Sequence, residues 1–167
     1  MSGKIAVVQG SFDPITVGHA DIVRRTAAWF DRIFVAVAQN AEKQHMFSPV
    51  QRAQLACAAL KELENVSVEI CDGYVADFAI EKHADVFVRG IRDSGDLEYE
   101  RIMADFNFQR AGIDTIFLLA APQYHSVSST EVRRRLHSGE SVSGFVSLEE
   151  EKLLRFFRPF PQNKTNF

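Results

Sequence analysis

Three stretches of this chain gather the residue types that bind phosphate, and each stands where an apolar run gives way to a helical pattern. The first is Gly10-Ser11-Phe12-Asp13-Pro14-Ile15-Thr16-Val17-Gly18-His19. Gly10 lets a backbone approach a ligand, Pro14 stiffens the turn, and Gly18 permits close packing beside His19. The second runs from Val88 through Arg89-Gly90-Ile91-Arg92 and Asp96 to Glu98-Tyr99-Glu100. Two arginines around a glycine suit bidentate recognition of a phosphate. The acids that follow have three uses open to them: capping the helix, pairing with the arginines, or reaching ligand hydroxyls. The third, Ser126-Val127-Ser128-Ser129-Thr130-Glu131-Val132-Arg133, crowds hydroxyls ahead of a helix start. Ser128 and Glu131 have capping-box spacing, which accounts for part of that run and leaves the other hydroxyls unexplained. Lys43 lies in a polar loop, residues 39–45, and is a fourth cation within reach of the same region. A solitary His near a helix start is more often a cap or a packing residue. His19 sits between a glycine and the first helical turn, in a loop that also carries Ser11, and that setting points to chemistry instead.

The elements that must position these residues alternate between short β-branched runs and longer segments of helical period, as a parallel sheet with crossover helices requires. Strands are expected over residues 5–8, 33–38, 66–71, 85–88 and 115–119, several apolar on consecutive residues because helices cover both sheet faces. Ile22, Val23, Thr26, Ala27 and Phe30 form one helical stripe and Ala53, Ala56, Leu60 and Leu63 another. Ser48-Pro49-Val50-Gln51 and Ser147-Leu148-Glu149-Glu150 carry the spacing of helix N-caps. In such a sheet ligands sit outside the carboxyl ends of the strands, where helix N-termini offer free N–H groups. Three phosphate-seeking junctions on one edge therefore predict a polyphosphate site. The loops match neither GxGxxG nor GxxxxGK[ST], which excludes two common nucleotide cradles.

The 167 residues suit a single domain, expected over residues 1–158, with a flexible tail over 159–167. Lysine and arginine number 19 against 22 acids, a net charge of −3 that argues against a nucleic-acid partner. No apolar run is long enough to span a membrane and no signal-peptide pattern opens the chain, so a cytoplasmic location is expected. Cys57 and Cys71 lack metal-site spacing and read as two small core thiols. Leu153, Leu154, Phe156 and Phe157 are either core or subunit interface.

Within the first stretch, Thr16-Val17-Gly18-His19 resembles the (T/H)xGH signature of the nucleotidyltransferase superfamily. Val127-Ser128-Ser129-Thr130-Glu131-Val132-Arg133 resembles its ISSTxxR signature, with Val in place of Ile. Together with the arginine-glycine run and Lys43 just ahead of Met46-Phe47, the pattern from about Lys4 to the last helix is similar to the bacterial phosphopantetheine adenylyltransferases. The resemblance implies an α/β fold with a doubly wound five-stranded parallel sheet. It implies transfer of adenylyl from MgATP to 4′-phosphopantetheine, giving dephospho-coenzyme A and pyrophosphate. It also implies a homohexamer and feedback inhibition by coenzyme A.

Carried over by motif, His19 stabilises charge developing at the α-phosphate, with Lys43 and Arg92 as its catalytic companions. Ser11, Lys43 and Arg89 hold the acceptor phosphate, with Val75 near the pantetheine arm. Ser11, Phe12, His19, Gly90, Ile91, Arg92 and Glu100 surround ATP, joined by Tyr124, His125, Ser126, Val127, Ser128, Ser129 and Thr130. Magnesium is carried by the ATP phosphates, with no protein metal ligands expected. Such a reaction needs no protein nucleophile and no general base, because the acceptor phosphate is already ionised. Ser11 stands where many relatives carry Thr, and Tyr124 where some carry a bulkier aromatic. Two other readings compete: a nucleotidyltransferase with another phosphorylated acceptor, such as nicotinamide mononucleotide or glycerol phosphate, and a nucleotide-binding module without chemistry.

Overall fold

Apolar runs covered by helices on both sides become five parallel strands, β1 (Ile5–Gly10), β2 (Arg32–Ala38), β3 (Val66–Cys71), β4 (Val86–Ile91) and β5 (Thr115–Leu119), in the order β3-β2-β1-β4-β5. The computed structural model describes residues 3–39 and 44–157; Lys43 and the expected tail at 159–167 lie outside them. Helices α1 (Val17–Ala27), α2 (Pro49–Ala59), α3 (Val75–Glu81), α4 (Ser94–Ala111), α5 (Ser129–Ser138) and α6 (Leu148–Leu154) connect and cover the sheet. Strand alternation divides the core in two. Val8, Ile33, Val35, Val37 and Val88 face the buried stripes of α1 and α2, together with Leu154 of α6. Val7, Phe34, Ala36 and Phe87 face the opposite way, toward Ala79 of α3.

β2 opens one residue earlier than the sequence pattern predicts, at Arg32, and two strands run further at their carboxyl ends. β1 continues to Gly10, and β4 starts at Val86 and continues to Ile91, because Arg89, Gly90 and Ile91 pair with Phe117, Leu118 and Leu119 of β5. The second phosphate-seeking run thus begins inside a strand. Asp85, expected to open β4, instead accepts the Ile5 N–H at 2.7 Å.

Both expected caps form as reciprocal boxes, Ser48 with Gln51 on α2 and Ser147 with Glu150 on α6. The two helical stripes are buried or packed against the core. Cys71 is buried at the end of β3, whereas Cys57 is exposed: the core-facing stripe of α2 runs through Ala56, and the next residue is turned about 100° away from it. Leu154 is buried, Leu153 and Phe157 pack against the same core, and Phe156 is 82% exposed, so the segment is largely core.

The α6 cap carries a cost. Glu150 is fully buried, its Oε2 accepts the Ser147 N–H at 2.8 Å, and its Oε1 has no partner. Burial pushes its pKa from 4.5 up to about 7, against the pull of the Ser147 hydrogen bonds and the Arg24 charge. Below the unfolded value the carboxyl is neutral in both states and its contribution is fully present. As pH rises toward 7 only the unfolded chain ionises, and folding loses stability over that window. Glu150→Gln keeps the acceptor and removes the titration. The melting temperature of the wild type is therefore expected to fall relative to that of the variant as pH rises from about 5 to about 7. A constant offset across that range would contradict the burial of an uncompensated carboxyl.

Candidate active site

β1 and β4 are neighbours at the point where the strand order reverses, so the loops leaving them part and open a crevice at the carboxyl edge. Two adjoining cavities occupy it. The larger, about 700 Å³, is lined by Gly10 at the end of β1 and Ser11 and Phe12 after it, by Tyr74 and Val75 at the start of α3, by Arg89 on β4, and by Met103, Phe106 and Asn107 on α4. The smaller, about 260 Å³, is lined by Thr16 and Gly18, by Arg92 and Asp96, and by Tyr124, Val127, Ser128, Ser129 and Thr130. His19, Ile22, Gly90 and Glu100 line both. The larger has the volume usual for a ligand pocket.

His19 owes its place to the start of α1. Thr16, its N-cap, has an extended backbone, and its hydroxyl accepts the His19 N–H at 3.4 Å while the Thr16 N–H donates to Nδ1 of the ring at 3.1 Å. A capping box normally closes with Glu or Gln; here an imidazole closes it. Because Nδ1 accepts a backbone N–H, the proton of the neutral ring sits on Nε2, the nitrogen left for a ligand. Phe12 meets the ring edge-on at a centroid distance of 5.4 Å. Burial, then the Arg92 and Arg89 guanidinium charges, push the His19 pKa from 6.5 down to about 4, so the ring is a neutral donor at pH 7. The cap role and the chemical role are compatible, since they use different nitrogens.

Each arginine is held by an acid from its own run. Arg89 pairs with Glu100, both side chains 14% exposed, and its Nη1 also donates to the Gln9 carbonyl at 3.3 Å. Arg92 donates from Nε and Nη2 to the two carboxylate oxygens of Asp96, at 2.9 and 3.1 Å. The side-chain bonds of this pair raise the Arg92 pKa and lower that of Asp96. Of the three uses open to the acids, Glu100 and Asp96 thus take the second. Asp93, in turn, caps α4 by accepting the Asp96 N–H at 2.9 Å.

The hydroxyl-rich run behaves differently from its expectation. Ser128 accepts the Glu131 N–H at 3.1 Å, but the box is not reciprocal, because the Glu131 carboxylate binds Arg134 and Arg135. Ser129 donates to the Pro14 carbonyl at 2.8 Å, and Thr130 accepts from Arg133 at 3.1 Å. Of these hydroxyls only that of Ser129 fastens the start of α5 to the β1–α1 loop, and the first-turn N–H groups of Ser129 and Thr130, which have no intrahelical partner, are what an anion would meet there. Gly10 also serves another purpose than expected: a Cβ there would lie 2.9 Å from the Phe12 ring, so its bareness makes room for Phe12, which holds a left-handed φ of 48°. At Gly18 a Cβ would meet only ordinary contacts, the nearest at 3.5 Å from Tyr124. Gly90 is as tight as Gly10, since a Cβ there would lie 2.9 Å from Ile22.

Most of the predicted residues come together. Ile91 is buried in β4 between the two arginines and lines neither cavity, and His125 and Ser126 are exposed outside both. Sequence reasoning missed Asp13 and Arg52 and gave Arg133 no role. Asp13 is 3% exposed and accepts the N–H groups of Met46 and Phe47 at 2.8 and 2.9 Å; Arg133 donates to the Asp13 carbonyl at 2.7 Å. The one available signal was an acid held inside an otherwise apolar run, Phe12-Asp13-Pro14-Ile15. Met103, Phe106 and Asn107 were missed because α4 shows no apolar stripe to orient it.

Among the described residues no group of three or more His, Cys, Asp or Glu side chains could hold a metal ion, and no helix is long and apolar enough to cross a membrane. Residues 7–135 match the cytidylyltransferase-like family. A phosphopantetheine adenylyltransferase from Bdellovibrio bacteriovorus is 41% identical over 144 residues, covering 86% of this chain and 90% of the relative. Its counterpart from Rubrobacter xylanophilus is 43% identical over 144 residues, covering 86% and 88%. A solved structure from Vibrio parahaemolyticus, described as a candidate nicotinate-nucleotide adenylyltransferase, superposes with a TM-score of 0.68 over 93% of both chains at 20% identity, a likeness of fold.

Proposed function

The chain belongs to the cytidylyltransferase-like family and, within it, to the phosphopantetheine adenylyltransferases, and we infer that it transfers the adenylyl group of ATP to 4′-phosphopantetheine, giving dephospho-coenzyme A and pyrophosphate. The observation that carries this reading is the neutral His19 ring at the junction of two cavities, with Arg89 lining one and Arg92 the other. ATP occupies the smaller cavity, its phosphates toward Arg92 and the first-turn N–H groups of α5, with Gly90, Glu100, Tyr124 and Val127 lining it and Phe12, Ile91, His125 and Ser126 outside its walls. The acceptor phosphate takes Ser11, Lys43 and Arg89, and the pantetheine arm passes Val75.

The acceptor oxygen forms a bond to the α-phosphorus as the bond to the pyrophosphate oxygen breaks on the opposite side. No covalent intermediate with the protein is needed, and no base, since the attacking phosphate is already ionised. Nε2–H of His19 donates to the α-phosphate oxygen on which charge grows. A neutral donor pre-aimed by its cap loses no reorganisation energy at that moment. Magnesium fits as a companion of the nucleotide, because the nearby carboxylates Glu100 and Asp96 are committed to arginines; bound to the phosphates, it neutralises part of their charge.

Coenzyme A carries both a pantetheine and an adenylate portion, which supports inhibition by occupancy of both cavities. Exposed Leu97, Ile102 and Phe108 on α4 support self-association, and a homohexamer is the assembly proposed. The enzyme is placed in the cytoplasm, as a unit over residues 1–158, without nucleic-acid partners.

Pyrophosphate release from ATP tests the assignment. It is expected with 4′-phosphopantetheine and absent with pantetheine, which lacks the phosphate that Arg89 would hold; equal turnover of both would overturn the reading. In the same assay His19→Ala should lower turnover by about 10²–10³, or roughly 3–4 kcal/mol, as for loss of one oxyanion donor. ATP affinity, read by calorimetry, should change far less. An equal loss of both would make His19 a ground-state binding residue.

A further inference from the structure

Arg52, in the first turn of α2, is the largest fully buried side chain among the described residues, and a charge in that position needs a reason. Its Nη1 donates to two carbonyls, that of Ser11 just beyond β1 and, at 3.0 Å, that of Ala38 at the end of β2. One guanidinium thus ties together the ends of the paired strands β1 and β2, on the β2 side of the crevice that opens between β1 and β4. Asp13 lies close enough for its charge to act on Arg52, and its carboxylate holds the N–H groups of Met46 and Phe47, just ahead of the α2 cap. The chain that leaves the sheet at Ala38 and returns at Met46 is therefore fastened at both ends to the β1–α1 loop, by Arg52 where it leaves and by Asp13 where it returns.

The two cavities are not equally dependent on this arrangement. Ser11 and Ala38, the carbonyls Arg52 holds, line the larger cavity, and neither lines the smaller. The smaller is secured to the same loop by other bonds, Ser129 to the Pro14 carbonyl and Arg133 to the Asp13 carbonyl. We propose that Arg52 is a positioning residue for the acceptor half of the site: from beneath the sheet edge it fixes Ser11 and the end of β2 in the register that the acceptor phosphate meets, without touching either substrate. Assignment of the larger cavity to the acceptor rests on the function proposed above; the positioning itself does not.

Arg52→Met leaves the Ser11 and Ala38 carbonyls and the Asp13 carboxylate without their cation and costs stability, whereas Arg52→Lys keeps a charge there and loses the planar fork that holds the register. Arg52→Met is expected to raise the KM for 4′-phosphopantetheine by at least about tenfold while the KM for ATP stays within about twofold, with Arg52→Lys falling between it and the wild type. A parallel rise in both KM values, or an unchanged acceptor KM in either folded variant, overturns the proposal. Amide hydrogen exchange on the ligand-free proteins supplies a second readout, and Arg52→Lys carries it should the Met variant not fold. Residues 11–13 and 46–48 should exchange faster in the variant, and residues 129–132 at the wild-type rate. Uniform acceleration, or none at 11–13, contradicts the positioning role. Failure of the wild type to use phosphopantetheine would instead fail the functional reading, and the exchange comparison, which needs no substrate, would still decide the role of Arg52.

Discussion

Helix α1 begins on a ring. The Thr16 N–H donates to Nδ1 of His19 while the Thr16 hydroxyl accepts the His19 N–H, so the same bonds that start the helix choose the tautomer of the imidazole and aim its other nitrogen. That constraint reaches backward and forward. Thr16 must be extended and buried for the cap to form, which requires the β1–α1 loop to be held from outside. Ser129 and Arg133 of α5 hold it by the Pro14 and Asp13 carbonyls, and Arg52 of α2 by the Ser11 carbonyl. Ahead of it, the ring stands between cavities whose walls supply arginines, and those charges, added to burial, keep it neutral. A protonated ring would add charge at rest as well as in the transition state; a neutral one gains most where charge develops.

The cations are likewise placed before any ligand arrives. Glu100 holds Arg89 and Asp96 holds Arg92, so an incoming phosphate meets guanidinium groups whose rotamers are already fixed. The more exposed Arg92–Asp96 pair contributes little to stability, being screened by water. Its value lies in direction. Gly90, lying between the arginines, lets Ile22 of α1 approach β4, and so sets how near His19 comes to both.

The fold was legible because helices on both faces make the strands apolar throughout, and because Ser48-Pro49 and Ser147 announce their helices in a few residues. Strand ends were less legible: whether Arg89, Gly90 and Ile91 continue β4 depends on pairing with β5, which lies far along the chain. His19, Arg89, Arg92 and Glu100 could be found because their residue types are chemical and their junctions share an edge. The supporting residues could not. Asp13, Arg52 and Arg133 act through backbone carbonyls and N–H groups of distant segments, and no spacing in the sequence records such a contact. The hydroxyls after Ser126 suggested ligand donors, yet in the structure Ser128, Ser129 and Thr130 bind the protein itself. Cys57 reads as a core thiol by type and is exposed because its helix turns it outward.

The central claim is that the helix cap makes His19 a neutral donor through Nε2. Nitrogen-15 chemical shifts of the His19 imidazole, followed from about pH 8 down to about pH 3, read tautomer and protonation directly. The account predicts an unprotonated Nδ1 and a protonated Nε2 at neutral pH, with the ring taking up its second proton only near its depressed value of about 4 rather than at 6.5. A proton on Nδ1 at neutral pH, or a titration near 6.5, would contradict it.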